Sequence, residues 1–236
     1  MLEQRERSQI SDQEAKVIAD QLRRVLAVEK TAGYNTERGA TDYISALRGV
    51  RHTFGNVLNL DTRTILDIGT GSGKAVFQLA RKEAFRYFDF KATGLTVPPK
   101  IDEYIGADNF TLTAAEVLRG IPDNSVGAAI SVFSVTYSAA PARVADSIDR
   151  VLVEGGVFKA ALRPSRKRFR QGQIKGMTIL KDMDAVNGRT YKELFDEKGY
   201  DTYLGCSKDR DILVAIKPGT SKKNSAAGLY MNEFVL

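Results

Sequence analysis

The rhythm of apolar positions along this chain changes near residue 64. Before it, apolar side chains recur every three or four residues: Ile18, Leu22, Val25 and Val28, then Tyr43, Leu47, Val50 and Phe54. That spacing lines one face of a helix. Ser11 and Glu14 make a capping box just ahead of the first series, where each side chain satisfies a free amide of the opening turn. A second helix is predicted to start near Thr41 and to run on through Phe54. The stretch Thr31-Ala32-Gly33-Tyr34-Asn35 between them is punctuated by Gly and Asn and reads as a loop.

After residue 64 the pattern becomes short apolar runs alternating with helical ones. Strands are predicted at 64–68, 89–94, 110–113, 128–133, 156–162 and 212–217, and helices at 74–82, 141–152 and 191–198. Alternation of this kind predicts an α/β fold, a mostly parallel sheet covered by helices on both faces. Three segments follow: an N-terminal helical cap at 1–60, the sheet domain at 61–218, and a C-terminal tail at 219–236 that carries Leu229, Tyr230, Met231, Phe234, Val235 and Leu236.

Composition narrows the class without changing this outline. At 236 residues the chain can bury one good core, and 43% hydrophobic with 27% charged residues is ordinary for a globular protein. No run is long enough to span a bilayer, and the polar, acid-containing first residues read as neither signal nor transit peptide. A single cysteine, Cys206, forms no internal disulfide, so a reducing, cytoplasmic setting is expected. With one Cys and one His (His52), most zinc arrangements fall away and no metal is expected. The net charge of +6 is concentrated: Arg163, Arg166, Lys167, Arg168 and Arg170 lie within eight residues, with Lys175 beyond. That run suits a solvated loop or an anion, nucleic acid included.

In an open α/β sheet ligands bind beyond the carboxyl ends of the strands, so the first strand-to-helix turn is the place to look. Gly69, Gly71 and Gly73 occupy it, in the run Ile65-Leu66-Asp67-Ile68-Gly69-Thr70-Gly71-Ser72-Gly73. A P-loop would need glycine where Ile68 stands and a hydroxyl where Ala75 stands. It fails at both. A dinucleotide fold would need its third glycine at Lys74, which counts against that reading without removing it.

The remaining pattern, acid-x-Gly-x-Gly-x-Gly after a strand, resembles motif I of the class I S-adenosylmethionine-dependent methyltransferases, of the small-molecule, methyltransferase domain 11 type. Downstream, Pro122-Asp123-Asn124-Ser125-Val126 leads through Ala128–Phe133, Pro141, Arg150-Val151-Leu152 and the turn Glu154-Gly155-Gly156, and resembles the family's fourth strand, following helix and Gly-Gly turn. The likeness covers residues 64–218. It implies a three-layer, Rossmann-like, seven-stranded sheet whose last strand runs antiparallel, with S-adenosylmethionine as cofactor. Asp67, Gly69, Thr70, Gly71 and Gly73 would then hold the methionine part. Thr96 stands where the family usually has its ribose acid, with Asp102 and Glu103 a few residues on. Ala115 and Glu116 would border the adenine, Ala114 replacing the usual acid, and Phe133 completes the cofactor set. Gly127 replaces the usual aspartate of the fourth strand.

The resemblance puts the reacting centre past that strand, with Ser134 and Tyr137 lining the acceptor site, Thr136 a further candidate to orient the acceptor, and Tyr34 in a lid-like segment. No catalytic residue is singled out; His52 is a candidate base only if the second helix covers the pocket. A small-molecule acceptor, possibly anionic, is expected. An RNA acceptor gripped by the basic 163–175 segment, and a cofactor-poor binding subunit, stay open beside it.

Overall fold

The computed structural model describes residues 16, 23, 37–98, 100–138, 140–162, 190–206 and 211–219. Of the first predicted helix only Lys16 and Arg23 are among them, both helical. Tyr34, the basic run from Arg163 to Lys175, and the tail beyond Gly219 lie outside the described residues.

Seven strands form one sheet: β1 (Thr64–Ile68), β2 (Asp89–Gly94), β3 (Phe110–Leu112), β4 (Val126–Val132), β5 (Leu152–Ala161), β6 (Asp201–Cys206) and β7 (Asp211–Ile216). Their order is β3-β2-β1-β4-β5-β7-β6. β1 to β5 pair in parallel, and β7 runs antiparallel between β5 and β6. Helices α1 (Ala40–Leu47), α2 (Arg51–Val57) and α3 (Lys74–Ala80) carry one core cluster, with Ile65, Ala128, Ile130 and Val132 of the sheet. After the one-turn α4 (Ile101–Tyr104), α5 (Pro141–Val151) and α6 (Tyr191–Glu197) carry the other, against Leu66, Ala129, Phe158 and Leu213. Alternation along each strand divides the apolar side chains between the two layers.

The predicted second helix is two. Tyr43, Leu47, Val50 and Phe54 are all buried. Their spacing runs without interruption across a break where Arg48 (φ 53°) and Gly49 (φ 94°) are left-handed and the Gly49 amide donates back to Ile44 O at 2.7 Å. This is a glycine-terminated helix end. Phe54 then packs edge-on against Phe85 and Phe90, with ring centroids 5.2 and 5.8 Å apart.

β5 begins at Leu152, straight out of α5, four residues before the predicted start. The pairing with β4 jumps from Val126↔Leu152 to Ala128↔Val157, so residues around Gly155 and Gly156 form the bulge that disguised it. β6 was not predicted: it is an edge strand, half-exposed along most of its length, so no apolar run betrays it. Gly127 has a packing reason. A Cβ there would meet Val57 Cγ1 of α2 at 2.7 Å and Thr62 O at 3.2 Å, so the aspartate the family places here would have no room.

Candidate functional site

The strand order reverses between β1 and β4, and the cleft of an open α/β sheet falls at such a point, beyond the carboxyl ends of the two strands. The glycine turn lies on one side of it. Gly69 (φ 76°), Gly71 (φ 61°) and Gly73 (φ 81°) all adopt left-handed backbone that other residues avoid. The amides of Gly69 and Thr70 both donate to Thr93 O, at 3.0 and 2.9 Å, which anchors the turn to the end of β2. On the other side, the chain leaves β4 through Phe133, itself left-handed at φ 63°, into the short 3-10 turn Val135–Tyr137. The two sides touch. A Cβ on Gly69 would meet Ser134 Oγ at 1.7 Å, and one on Gly73 would meet Ile105 Cδ1 at 2.6 Å. These two glycines therefore serve packing as well as backbone conformation.

Asp67 is the polar centre of this arrangement. It is 1% exposed, on the face of β1 covered by α1, and Tyr43 Oη of that helix donates to its Oδ2 at 3.1 Å. Oδ1 has no hydrogen-bond partner among the described residues. Burial pushes the carboxyl pKa up to about 7, and the neighbouring Thr70 and Tyr43 hydroxyls only partly offset that. The Thr70 hydroxyl, 3% exposed, makes no well-formed hydrogen bond of its own among the described residues. A desolvated carboxyl with a free acceptor beside a glycine turn fits a cationic N–H donor. Such a donor would restore the charge-assisted bond that burial denies the group.

The remaining predicted residues divide. Ser134 is brought against the turn and Phe133 lies at the cleft, with the Arg38 guanidinium 5.2 Å above its ring centroid. Thr96 is exposed beyond β2, and Asp102 and Glu103 are exposed on α4, where Glu103 pairs with Lys100 at 3.5 Å. Ala115 is half-buried and packs against the α5 side of the core. Glu116 is 2% exposed and accepts from Ser138 Oγ at 2.7 Å, a contact that joins the segment after β3 to the segment after β4. Thr136 Oγ1 donates to Phe133 O at 2.7 Å, so its hydroxyl closes its own turn. His52 is exposed on α2, the helix whose Val57 packs at the amino end of β4, the edge opposite the cleft. Sequence reasoning missed Tyr43 as more than a core residue, and with it Arg38 and Ser138. For Tyr43 the signal was present: a tyrosine on a core-facing stripe needs a partner for its hydroxyl.

The sheet order, the antiparallel β7 and the glycine turn at the switch point define a Rossmann-like fold. Residues 66–160 match the model of a family described as a methyltransferase domain. The matched stretch runs from β1 into β5 and includes the glycine turn. Among solved structures it resembles an O-methyltransferase family protein from Burkholderia thailandensis (TM-score 0.53, 11% identity, 76% of this chain and 57% of that one). It also resembles the CurJ carbon methyltransferase (TM-score 0.51, 14% identity, 67% of this chain and 49% of that one). At these identities the likeness is one of fold. The chain spans about half the length of both. No curated protein matches its sequence. No helix among the described residues is long and apolar enough to cross a membrane.

Proposed function

We propose that this protein transfers a methyl group from S-adenosylmethionine to a small-molecule acceptor. The observation that carries the reading is Asp67: a buried carboxyl with one oxygen that has no hydrogen-bond partner among the described residues, set just before three left-handed glycines. Asp67 would accept the ammonium group of the methionine part, and Gly69, Thr70, Gly71 and Gly73 would let the ligand lie against the turn. Thr96, Ala115 and Glu116 would border the nucleoside. No carboxylate stands at the usual ribose or adenine position, so backbone and hydroxyl groups would carry more of that contact.

When bound, the cofactor supplies the electrophilic methyl carbon, and the chain's own contribution is alignment and exclusion of water. Phe133 would complete the cofactor contacts, and Ser134 and Tyr137, in the turn that follows it, would line the side from which an acceptor approaches. Tyr34 would belong to the segment that covers it. Arg38, half-buried over Phe133, supports the expectation of an anionic acceptor. The basic run Arg163, Arg166, Lys167, Arg168 and Arg170 would extend that positive field, for a small anion or for RNA. The helical cap (1–60), the catalytic domain (61–218), the tail and a cytoplasmic location complete the proposal.

Titration calorimetry tests it. S-Adenosylmethionine is expected to bind one to one at micromolar concentration, and NAD not at all. Heat from NAD, or none from S-adenosylmethionine at millimolar concentration, would replace the methyltransferase reading with a dinucleotide one or with a scaffold.

A further inference from the structure

α1 is fastened to the sheet at three places. At its start, the Ala40 amide donates to Gln78 Oε1 at 2.8 Å, on the helix that leaves the glycine turn. Past its end, Lys159 Nζ, on a fully buried side chain of β5, donates to Gly49 O at 3.0 Å. Between them Tyr43 reaches Asp67. Asp67 and Lys159 lie in one row of the sheet, two strands apart, through the pairings Asp67↔Ile130 and Ile130↔Lys159. The helix therefore bridges two buried ionisable side chains, and it cannot shift without uncovering one of them.

The bond from Tyr43 matters because of what it leaves over. The carboxyl of an aspartate turns broadly about its last torsion, so burial alone does not decide where its oxygens point. A hydroxyl fixed to Oδ2 at 3.1 Å removes that freedom and leaves Oδ1 as the acceptor without a partner among the described residues. Tyr43 is 3% exposed, so its hydroxyl is held by a packed ring and not by a surface side chain.

Resting on the cofactor reading above, we propose that Tyr43 is a positioning residue: it holds the Asp67 carboxyl so that Oδ1 meets the ammonium group of S-adenosylmethionine, and it couples the seating of α1 to occupation of the glycine turn. Ligand bound at Oδ1 strengthens the charged form of the carboxyl. The charged form accepts a stronger bond from Tyr43, and α1 tightens as a result. By reciprocity, loosening the Tyr43 bond weakens the ligand.

The test uses S-adenosylhomocysteine as the probe, with calorimetry on the full chain. Wild type is measured first; if it does not bind, the cofactor reading fails and this inference falls with it. Given binding, Tyr43→Phe is expected to weaken affinity about tenfold, the size of one hydrogen bond to a charged group. The same substitution in an Asp67→Asn background is expected to change affinity less than about twofold, because the charged oxygen that Tyr43 positions for the ligand is gone even though an amide oxygen can still accept from its hydroxyl. Unchanged affinity in Tyr43→Phe, or an equal loss in both backgrounds, overturns the role of Tyr43 and leaves the cofactor reading standing. Should Tyr43→Phe fail to fold, hydrogen exchange on wild type decides. Saturating probe is expected to slow exchange of the α1 amides at least severalfold, and no slowing overturns the coupling.

Discussion

Asp67→Asn is expected to make the empty protein more stable at pH 8 and to cripple its hold on the cofactor. The sign follows from the buried carboxyl. Its pKa stands at about 7, raised from the ordinary 3.8, so between these values the folded chain keeps a proton that the unfolded chain has lost. The neutral carboxyl is tolerated and costs nothing below pH 4. As pH rises toward and past 7 the folded state must ionise a desolvated group, and the accumulated cost approaches roughly 4 kcal/mol. Asparagine keeps the shape and can still accept from Tyr43, but never ionises. The variant should match wild type near pH 4 and melt higher at pH 8. Cofactor affinity should fall about 10- to 100-fold, the loss of a charge-assisted bond in a buried site. Thermal melts across pH, paired with calorimetry, check both halves. A variant less stable than wild type at pH 8 would show that the carboxyl is not a liability in the empty protein.

The same titration should shape binding of the proposed cofactor. An ammonium group favours the ionised carboxyl, so binding below pH 7 should release a proton from Asp67. Affinity should climb toward pH 7 and decline once the ligand's own α-amino group, near pH 8 for such groups, loses its charge.

Gly69→Ala is the second large effect. The position is left-handed at φ 76°, which costs a side-chain-bearing residue about 1–2 kcal/mol, and its new methyl group would overlap Ser134 Oγ at 1.7 Å and Ser134 Cβ at 2.3 Å. Together these predict a loss of roughly 3 kcal/mol, or about 6–12 °C in Tm for a domain of this size. The displaced Ser134 would also narrow the cleft against the cofactor. Removing that side chain as well, in Gly69→Ala/Ser134→Gly, should recover part of the stability and leave the backbone strain. Full recovery would mean that the strain is negligible, and none would mean that Ser134 is not what the methyl group meets.

The glycine turn was legible from its residues, since glycines at alternate positions after an apolar strand have few other uses. The core strands were legible too, because both layers bury them and leave apolar runs. β6 was hidden by the half-exposure of an edge strand. The break after α1 was hidden because Tyr43, Leu47, Val50 and Phe54 keep helical spacing on both sides of it. For the candidate site the sequence offers a list of residues and not their geometry. Nothing in the order of residues says that Glu116 turns to Ser138 or that Thr136 spends its hydroxyl on Phe133 O. The partnership of Tyr43 with Asp67 spans 24 positions and two layers, beyond the reach of any periodicity.

The account turns on one carboxylate oxygen, so the most direct measurement is a crystal structure of the full chain with S-adenosylhomocysteine bound. The account predicts the ligand's amino nitrogen within hydrogen-bond distance of Asp67 Oδ1, its chain lying over Gly69 to Gly73, and Tyr43 still on Oδ2. A ligand seated elsewhere on the fold, or seated on the turn with its amino group away from Asp67, would contradict it.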